Sequence, residues 1–370
     1  MTLRRRSALV AGLSLACPAL LRAQAPVAVT DRLGRRVALA RPAQRIVLAQ
    51  GRLLSLMGLI HPDPVSLLAG WASDLPVVLP DEYAAWTRRF PVLASLPSLG
   101  RQVAAGMNIE QLVTLQPDLV LLSRGAAGTL DAQGRSAVVE RIEALGLKTA
   151  VIDCMARPLV ETAPSISVLG ALIGREAQAA ALREFYEGRM ARLAGWFATN
   201  KPPVVKVMLH NHGGGRECCY SIATGSFADL LAEVGGHSIA ADFLRRPLGQ
   251  LHKEYVLTQP WDAYLTTGGV YNGRGGVSMG AGVTPEEARA SLAAMLKTQG
   301  LDILPPVQAG RAYALWHGFN ETPLHCLALE AMAGWLHPAA RAVFDPAAGL
   351  RDVNQRFAAV PAEGTYWTQL

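Results

Sequence analysis

The chain has 370 residues, of which 51% are hydrophobic and 17% charged, enough for two α/β domains with folded cores and too apolar for a disordered chain. Its formal charge of +6 falls to +2 once residues 1–25 are set aside, because they hold four arginines and no acid, so no nucleic-acid footprint is expected. Beyond those residues no apolar run reaches the ~18 residues that a bilayer span needs.

Residues 1–25 read as an export signal. Arg4, Arg5 and Arg6 form a positive n-region, Ala8 to Ala16 a short apolar run, and Ala23-Gln24-Ala25 a small-residue cleavage site. The arginines leave the Sec and twin-arginine routes both open, and the expected destination is the periplasm. Ser14-Leu15-Ala16-Cys17 is an imperfect lipoprotein-like site, so a lipid anchor on Cys17 is the alternative to simple cleavage. Four cysteines follow, Cys154, Cys218, Cys219 and Cys326, without a C-x-x-C pair, which indicates neither a zinc knuckle nor a dithiol redox site. An oxidising compartment permits disulfides, but adjacent Cys218 and Cys219 are not expected to pair readily with each other.

Short β-type runs alternate with helical stretches, the pattern of α/β lobes with mainly parallel sheets. Arg45–Leu48, Asp118–Leu122 and Thr149–Asp153 are buried-strand candidates in the first half, and Val204–Leu209, Ala263–Thr267 and Ala312–Trp316 in the second. Between the halves, Arg175–Asn200 has no proline and places Leu182, Tyr186, Met190, Leu193 and Phe197 at spacings of four, four, three and four. That spacing predicts one amphipathic helix of roughly 39 Å at 1.5 Å per residue. Lys201-Pro202-Pro203 ends it. The expected layout is an export signal over 1–25, a first lobe over 26–174, a connecting helix over 175–200 and a second lobe over 201–370, with the last 35 residues as a packed terminal segment.

The two halves share a faint repeat. Asn108-Ile109-Glu110-Gln111-Leu112-Val113 leads through Pro117 to Asp118 and a strand, and Lys253-Glu254-Tyr255-Val256-Leu257 leads through Pro260 to Asp262 and a strand. In both, the aspartate falls eight residues after the glutamate. Asn108 with Gln111 is a capping-box pattern, which sets Glu110 in a first helical turn where the macrodipole favours a negative charge.

At these residues the sequence resembles the periplasmic substrate-binding proteins of ABC importers for ferric siderophores, vitamin B12 and haem, two Rossmann-like lobes joined by a single long helix. The likeness runs through Thr30-Asp31-Arg32-Leu33-Gly34-Arg35, Pro42-Ala43-Gln44-Arg45-Ile46-Val47, Asn108 to Leu122, Leu169-Gly170-Ala171-Leu172-Ile173-Gly174, Val234-Gly235-Gly236-His237-Ser238-Ile239-Ala240 and Gly310-Arg311-Ala312-Tyr313. The resemblance implies a non-enzymatic carrier with an interlobe ligand cleft, a permease dimer with its ATPase as partner, and a docking glutamate on each lobe, here Glu110 and Glu254. No resident cofactor is expected, and the membrane is met only through the transporter or the lipid anchor.

Loops after the strands of an α/β sheet present ligand-binding side chains. On the first lobe these are Gln50 and Arg52, Trp71, Arg101 and Arg124; on the second, His210, Asn211 and His212, then Arg216 to Tyr220, Tyr271 with Arg274, and Trp316 to Asn320. Arginines grip carboxylate or phosphate in bidentate fashion and aromatics add flat apolar area, which together suit a large anionic chelate. A ferric siderophore is therefore the expected ligand, ahead of a corrinoid or haem. His210-Asn211-His212 carries the competing expectation: period two at a strand end would set both imidazoles on one face, able to ligate a metal or to serve a metal-dependent hydrolase. Further ligands would have to come from Cys218, Cys219, His237 or Glu217, at no diagnostic spacing. No P-loop, dinucleotide fingerprint, G-x-S-x-G elbow or H-E-x-x-H motif is present.

Overall fold

The computed structural model describes residues 25–100, 108–216, 218–270 and 276–370. The export signal and Cys17, as well as Arg101, Glu217, Tyr271 and Arg274, lie outside the described residues, except for Ala25. Among those described, no helix is long and apolar enough to cross a membrane.

The chain opens with an antiparallel hairpin of β1 (Val27–Thr30) and β2 (Arg36–Leu39). Asp31 makes its turn: Oδ1 accepts from the amides of Leu33 and Arg35, while Oδ2 accepts from Val151 and fastens the hairpin to the first sheet. That sheet holds β3 (Ile46–Leu48), β4 (Leu68–Trp71), β5 (Leu119–Ser123) and β6 (Thr149–Ile152) in the order β4-β3-β5-β6, all parallel. β3, β5 and β6 are buried throughout, so they read as continuous apolar runs rather than alternating ones.

The helix Pro158–Leu172 packs back against the long helix Glu176–Asn200, and a Cβ on Gly170 would collide with Ala179 at that crossing. At 25 residues the long helix extends about 37 Å. It buries Ala179, Leu182, Tyr186 and Leu193 and ends at Lys201, whose φ of 43° is left-handed. Two polar contacts hold it to the helix His325–Leu336 of the second lobe. The Tyr186 hydroxyl lies 3.0 Å from His325 Nε2, and Arg189 Nη1 donates to both oxygens of the buried Glu330 carboxylate at 2.7 and 2.6 Å.

The second sheet is larger and mixed. β7 (Val205–His210), β11 (Ala263–Gly268) and β13 (Ala312–Trp316) run parallel at its centre, with β9 (Gly236–Ser238) parallel to the start of β7. β8 (Tyr220–Ile222) and β10 (Leu248–Gln250) extend one edge, each antiparallel to its neighbour, and β15 (Trp367–Gln369) adds an antiparallel strand beyond β13. A short antiparallel pair, β12 (Gly280–Ala281) with β14 (Gly364–Thr365), brings the C-terminal segment across the lobe interface. The Ala359 amide there donates to Gly58 O of the first half at 2.8 Å.

The repeat seen in the sequence is a repeat of geometry. Asp118 Oδ2 accepts from the amides of Gln44 and Arg45, and its own amide donates to Arg45 O, locking the start of β5 to the start of β3. Asp262 does the same between β11 and β7: Oδ2 accepts from the Lys206 amide at 2.8 Å and its amide donates to Lys206 O at 2.7 Å. The helices Ile109–Thr114 and Lys253–Thr258 precede these strands and run back along the sheets. Their first turns therefore lie at the end where β5 and β11 finish, which is the cleft side of each lobe.

Candidate ligand cleft between the lobes

Arg52 follows β3 and forms the centre of the first-lobe wall. Its Nε donates to Asp74 Oδ2 at 2.8 Å, and Asp74 Oδ1 in turn accepts from the Gly51 amide. A Cβ on Gly51 would strike Ala72 O, so the close approach that builds this corner requires glycine. Arg52 Nη1 crosses the cleft to Glu321 of the second lobe. Burial works against the guanidinium charge, but Glu321 and Asp74 outweigh it and hold the arginine above its ordinary pKa. Burial pushes the Glu321 carboxyl up, opposed by Arg52. A second interlobe contact lies nearby, where Asp81 Oδ2 accepts from the Ala281 amide at 2.9 Å. Arg52 is thus a bridge between the lobes rather than the free cation that its position after a strand suggests.

The second wall is built on imidazoles. β7 ends at His210, and His212 takes a left-handed φ of 55°, so the two-residue alternation of the strand is lost between them. His210 turns into the lobe, fully buried, with Nδ1 2.6 Å from the Tyr264 hydroxyl. The expectation that His210 and His212 share a face is corrected here. His212 pairs with His317, their rings 3.8 Å apart at 34°. Thr267 Oγ1 organises the pair: it accepts from the His212 amide at 2.9 Å and lies 3.0 Å from His317 Nδ1. Burial, with Arg216 and Arg52 behind it, pushes His212 down to about 4, and burial together with His212 and both arginines pushes His317 well below the ordinary histidine range. Burial and the nearby guanidiniums thus hold both rings toward the neutral form. Arg216 stacks its guanidinium over Tyr220 at 4.7 Å.

Other residues expected in the cleft have different places. Trp71 is the last residue of β4, 3% exposed, and stacks on Tyr83 at 6.0 Å. Trp316 is 2% exposed between Phe319 and Tyr366. Both indoles belong to the hydrophobic core, and Trp316 also lines a pocket together with Ser55, Glu82, Ala281 and Tyr366. Arg124 follows β5 as expected, half-buried, and its Nη1 has no partner among the described residues. Cys218 and Cys219 are joined as a disulfide, contrary to expectation; the peptide between them is cis, which sets their Cα atoms 3.0 Å apart instead of the ~3.8 Å of a trans link. Among the described residues, no cluster of three or more His, Cys, Asp or Glu side chains is placed to hold a metal ion. Asp74, Thr267 and Glu321 went unread because nothing in their local sequence marks them; His317 was inside a strand-end stretch that pointed to it.

Against known proteins, the family model for periplasmic binding proteins matches residues 59–315, well over half of the chain. The chain belongs to the periplasmic binding protein family. Proteins of this family are solute carriers that work with the permeases of ABC transporters, and they are not enzymes. No curated protein sequence matches it. Among solved structures this binding protein is similar to the TroA-like periplasmic binding protein FepB from Veillonella parvula, at 24% identity and a TM-score of 0.84 over 93% of this chain and 100% of that one. It is also similar to the molybdate-binding protein MolA of Haemophilus influenzae, at 16% identity and a TM-score of 0.64 over 89% of this chain and 97% of that one. A third likeness is to the vitamin B12 binding protein BtuF of Vibrio cholerae, at 18% identity and a TM-score of 0.56 over 81% and 98%. These likenesses carry the two-lobed fold and leave the ligand to the cleft's own chemistry.

Proposed function

We propose that this binding protein captures a bulky anionic metal chelate of the ferric siderophore class in the interlobe cleft and delivers it to an ABC permease dimer with its ATPase. The observation that carries this is the His212–His317 pair, two neutral imidazoles at 3.8 Å set beside Arg52 and Arg216. Two imidazoles suit a metal that arrives with most of its ligands supplied by a chelator, and the Arg216 guanidinium suits a negative group of the chelator, Arg52 being committed to Asp74 and Glu321. Arg124, whose buried Nη1 has no partner among the described residues, adds a donor at the end of β5. Arg101, Tyr271 and Arg274 join this lining by sequence position alone. Glu110 and Glu254, both exposed in first helical turns on the cleft side, are the proposed docking carboxylates. Export by residues 1–25 to the periplasm, and the lobes over 26–174 and 201–370 with their connecting helix over 175–200, complete the proposal.

Native mass spectrometry of the protein purified from the periplasm of its own cells tests this. A co-purified mass carrying iron and a chelator is expected. A co-purified corrinoid or haem, with no response of tryptophan fluorescence to any ferric chelate, would overturn the ligand assignment.

A further inference from the structure

The two helices that carry Glu110 and Glu254 match in more than their glutamates. Two residues after each glutamate stands a fully buried anchor, Leu112 or Val256. Three residues after it stands an exposed aliphatic side chain, Val113 at 42% and Leu257 at 39%. Four residues after it a threonine closes the turn, with Thr114 Oγ1 donating to Glu110 O at 2.9 Å and Thr258 Oγ1 to Glu254 O at 2.8 Å. Eight residues after it the aspartate clamps the next strand to its neighbour. A lone exposed leucine or valine has no meaning on a protein surface. Recurrence of an exposed aliphatic at one place in a repeated element, once per lobe, is a different observation.

Residues three apart on a helix lie on one face, so each lobe sets a carboxylate and an aliphatic group side by side on the cleft rim. The second-lobe copy is continuous with more apolar surface: Phe243, 41% exposed, packs on Tyr255 at 4.7 Å and on His252 at 5.9 Å. A surface presented twice, in matching form, fits a partner that also presents one surface twice, which is a two-fold dimer. We infer that Val113 and Leu257 are the apolar halves of a repeated docking element, received by an apolar shelf beside a basic group on each subunit of a two-fold symmetric membrane receptor. This rests on the docking role of Glu110 and Glu254 proposed above. The division of labour follows from physics: exposed charges steer encounter, while desolvated apolar contacts slow departure.

The test is interferometry of the ligand-free protein on nanodiscs holding its own importer's permease–ATPase complex. Val113→Ser with Leu257→Ser should dissociate about tenfold faster while associating within about twofold of the unaltered rate. Exchanging the two aliphatics, Val113→Leu with Leu257→Val, should restore slow dissociation. Glu110→Arg with Glu254→Arg should instead lower the association rate. Thermal melting run beside these should not move, since neither aliphatic is buried. Unchanged dissociation for the serine pair, with association lost in the arginine pair, would sink the aliphatic role and leave the docking carboxylates standing. Unchanged kinetics in both pairs would remove the docking role itself.

Discussion

Glu321→Gln should open the cleft without unfolding the protein. The Arg52–Glu321 pair is one of three polar contacts described above between the lobes, with side chains 18% and 8% exposed. Two unit charges 4 Å apart attract by about 4 kcal/mol at the effective dielectric of a partly buried site. Against that, the variant relieves the burial cost of Glu321, whose carboxyl is pushed up, and Arg52 keeps Asp74 at 2.8 Å as a counter-charge. The net loss of closure should therefore be about 1–2 kcal/mol, a five- to thirty-fold shift from closed toward open. Single-molecule energy transfer between a dye on each lobe reads that shift directly, while urea unfolding should hardly move. An unchanged distribution in Glu321→Gln would show that the bridge does not hold the lobes together. The same shift in the remote control Glu140→Gln would show that the effect is not local.

Other expectations concern stability. Arg189→Met leaves the buried Glu330 carboxylate without its partner and should cost about 3–5 kcal/mol in urea unfolding, whereas Arg189→Met with Glu330→Leu should recover most of the loss. Gly188 and Gly195 sit in the long helix with nothing within 4 Å of a would-be Cβ, so alanine at each should stabilise by about 0.5–1 kcal/mol; a loss would mean that the helix bends there in use. Glu82 is pushed up to about 8 by burial, so the folded state holds a proton that the unfolded chain releases above its ordinary 4.5, and stability drains as pH rises through that window. Glu82→Gln should match the unaltered protein near pH 4.5 and exceed it by up to about 4 kcal/mol at pH 8, a gain that a flat difference across pH would contradict.

The six strands expected from apolar runs lie within a residue of β3, β5, β6, β7, β11 and β13, because parallel strands buried on both faces leave a continuous apolar record. The aspartate repeat was equally legible, since each Asp118-like clamp depends on a residue type at a fixed distance from a strand. The short outer strands β8, β10 and β15 were not, being three residues each, all antiparallel additions to the parallel centre of the sheet. Strand ends point to Arg52, His212 and Arg216, which follow β3 and β7, but do not say what each faces. Trp71 and Trp316 look like ligand platforms in sequence and pack into the core in the fold, since an aromatic at a strand end suits either place. His210 misled because alternation assumes that the strand continues, and it stops there.

The most direct measurement is fluorescence titration of a ferric chelate series against the unaltered protein and His212→Ala with His317→Ala. Because His212 is held down to about 4, affinity should be level from pH 7 to about 5.5 and fall toward pH 4 as His212 takes a proton. The double variant should bind at least tenfold more weakly at pH 7, with its residual binding independent of pH over that range. Failure of every ferric chelate to saturate the protein, or an unchanged affinity in the double variant, would contradict a metal chelate held by the imidazole pair between the lobes.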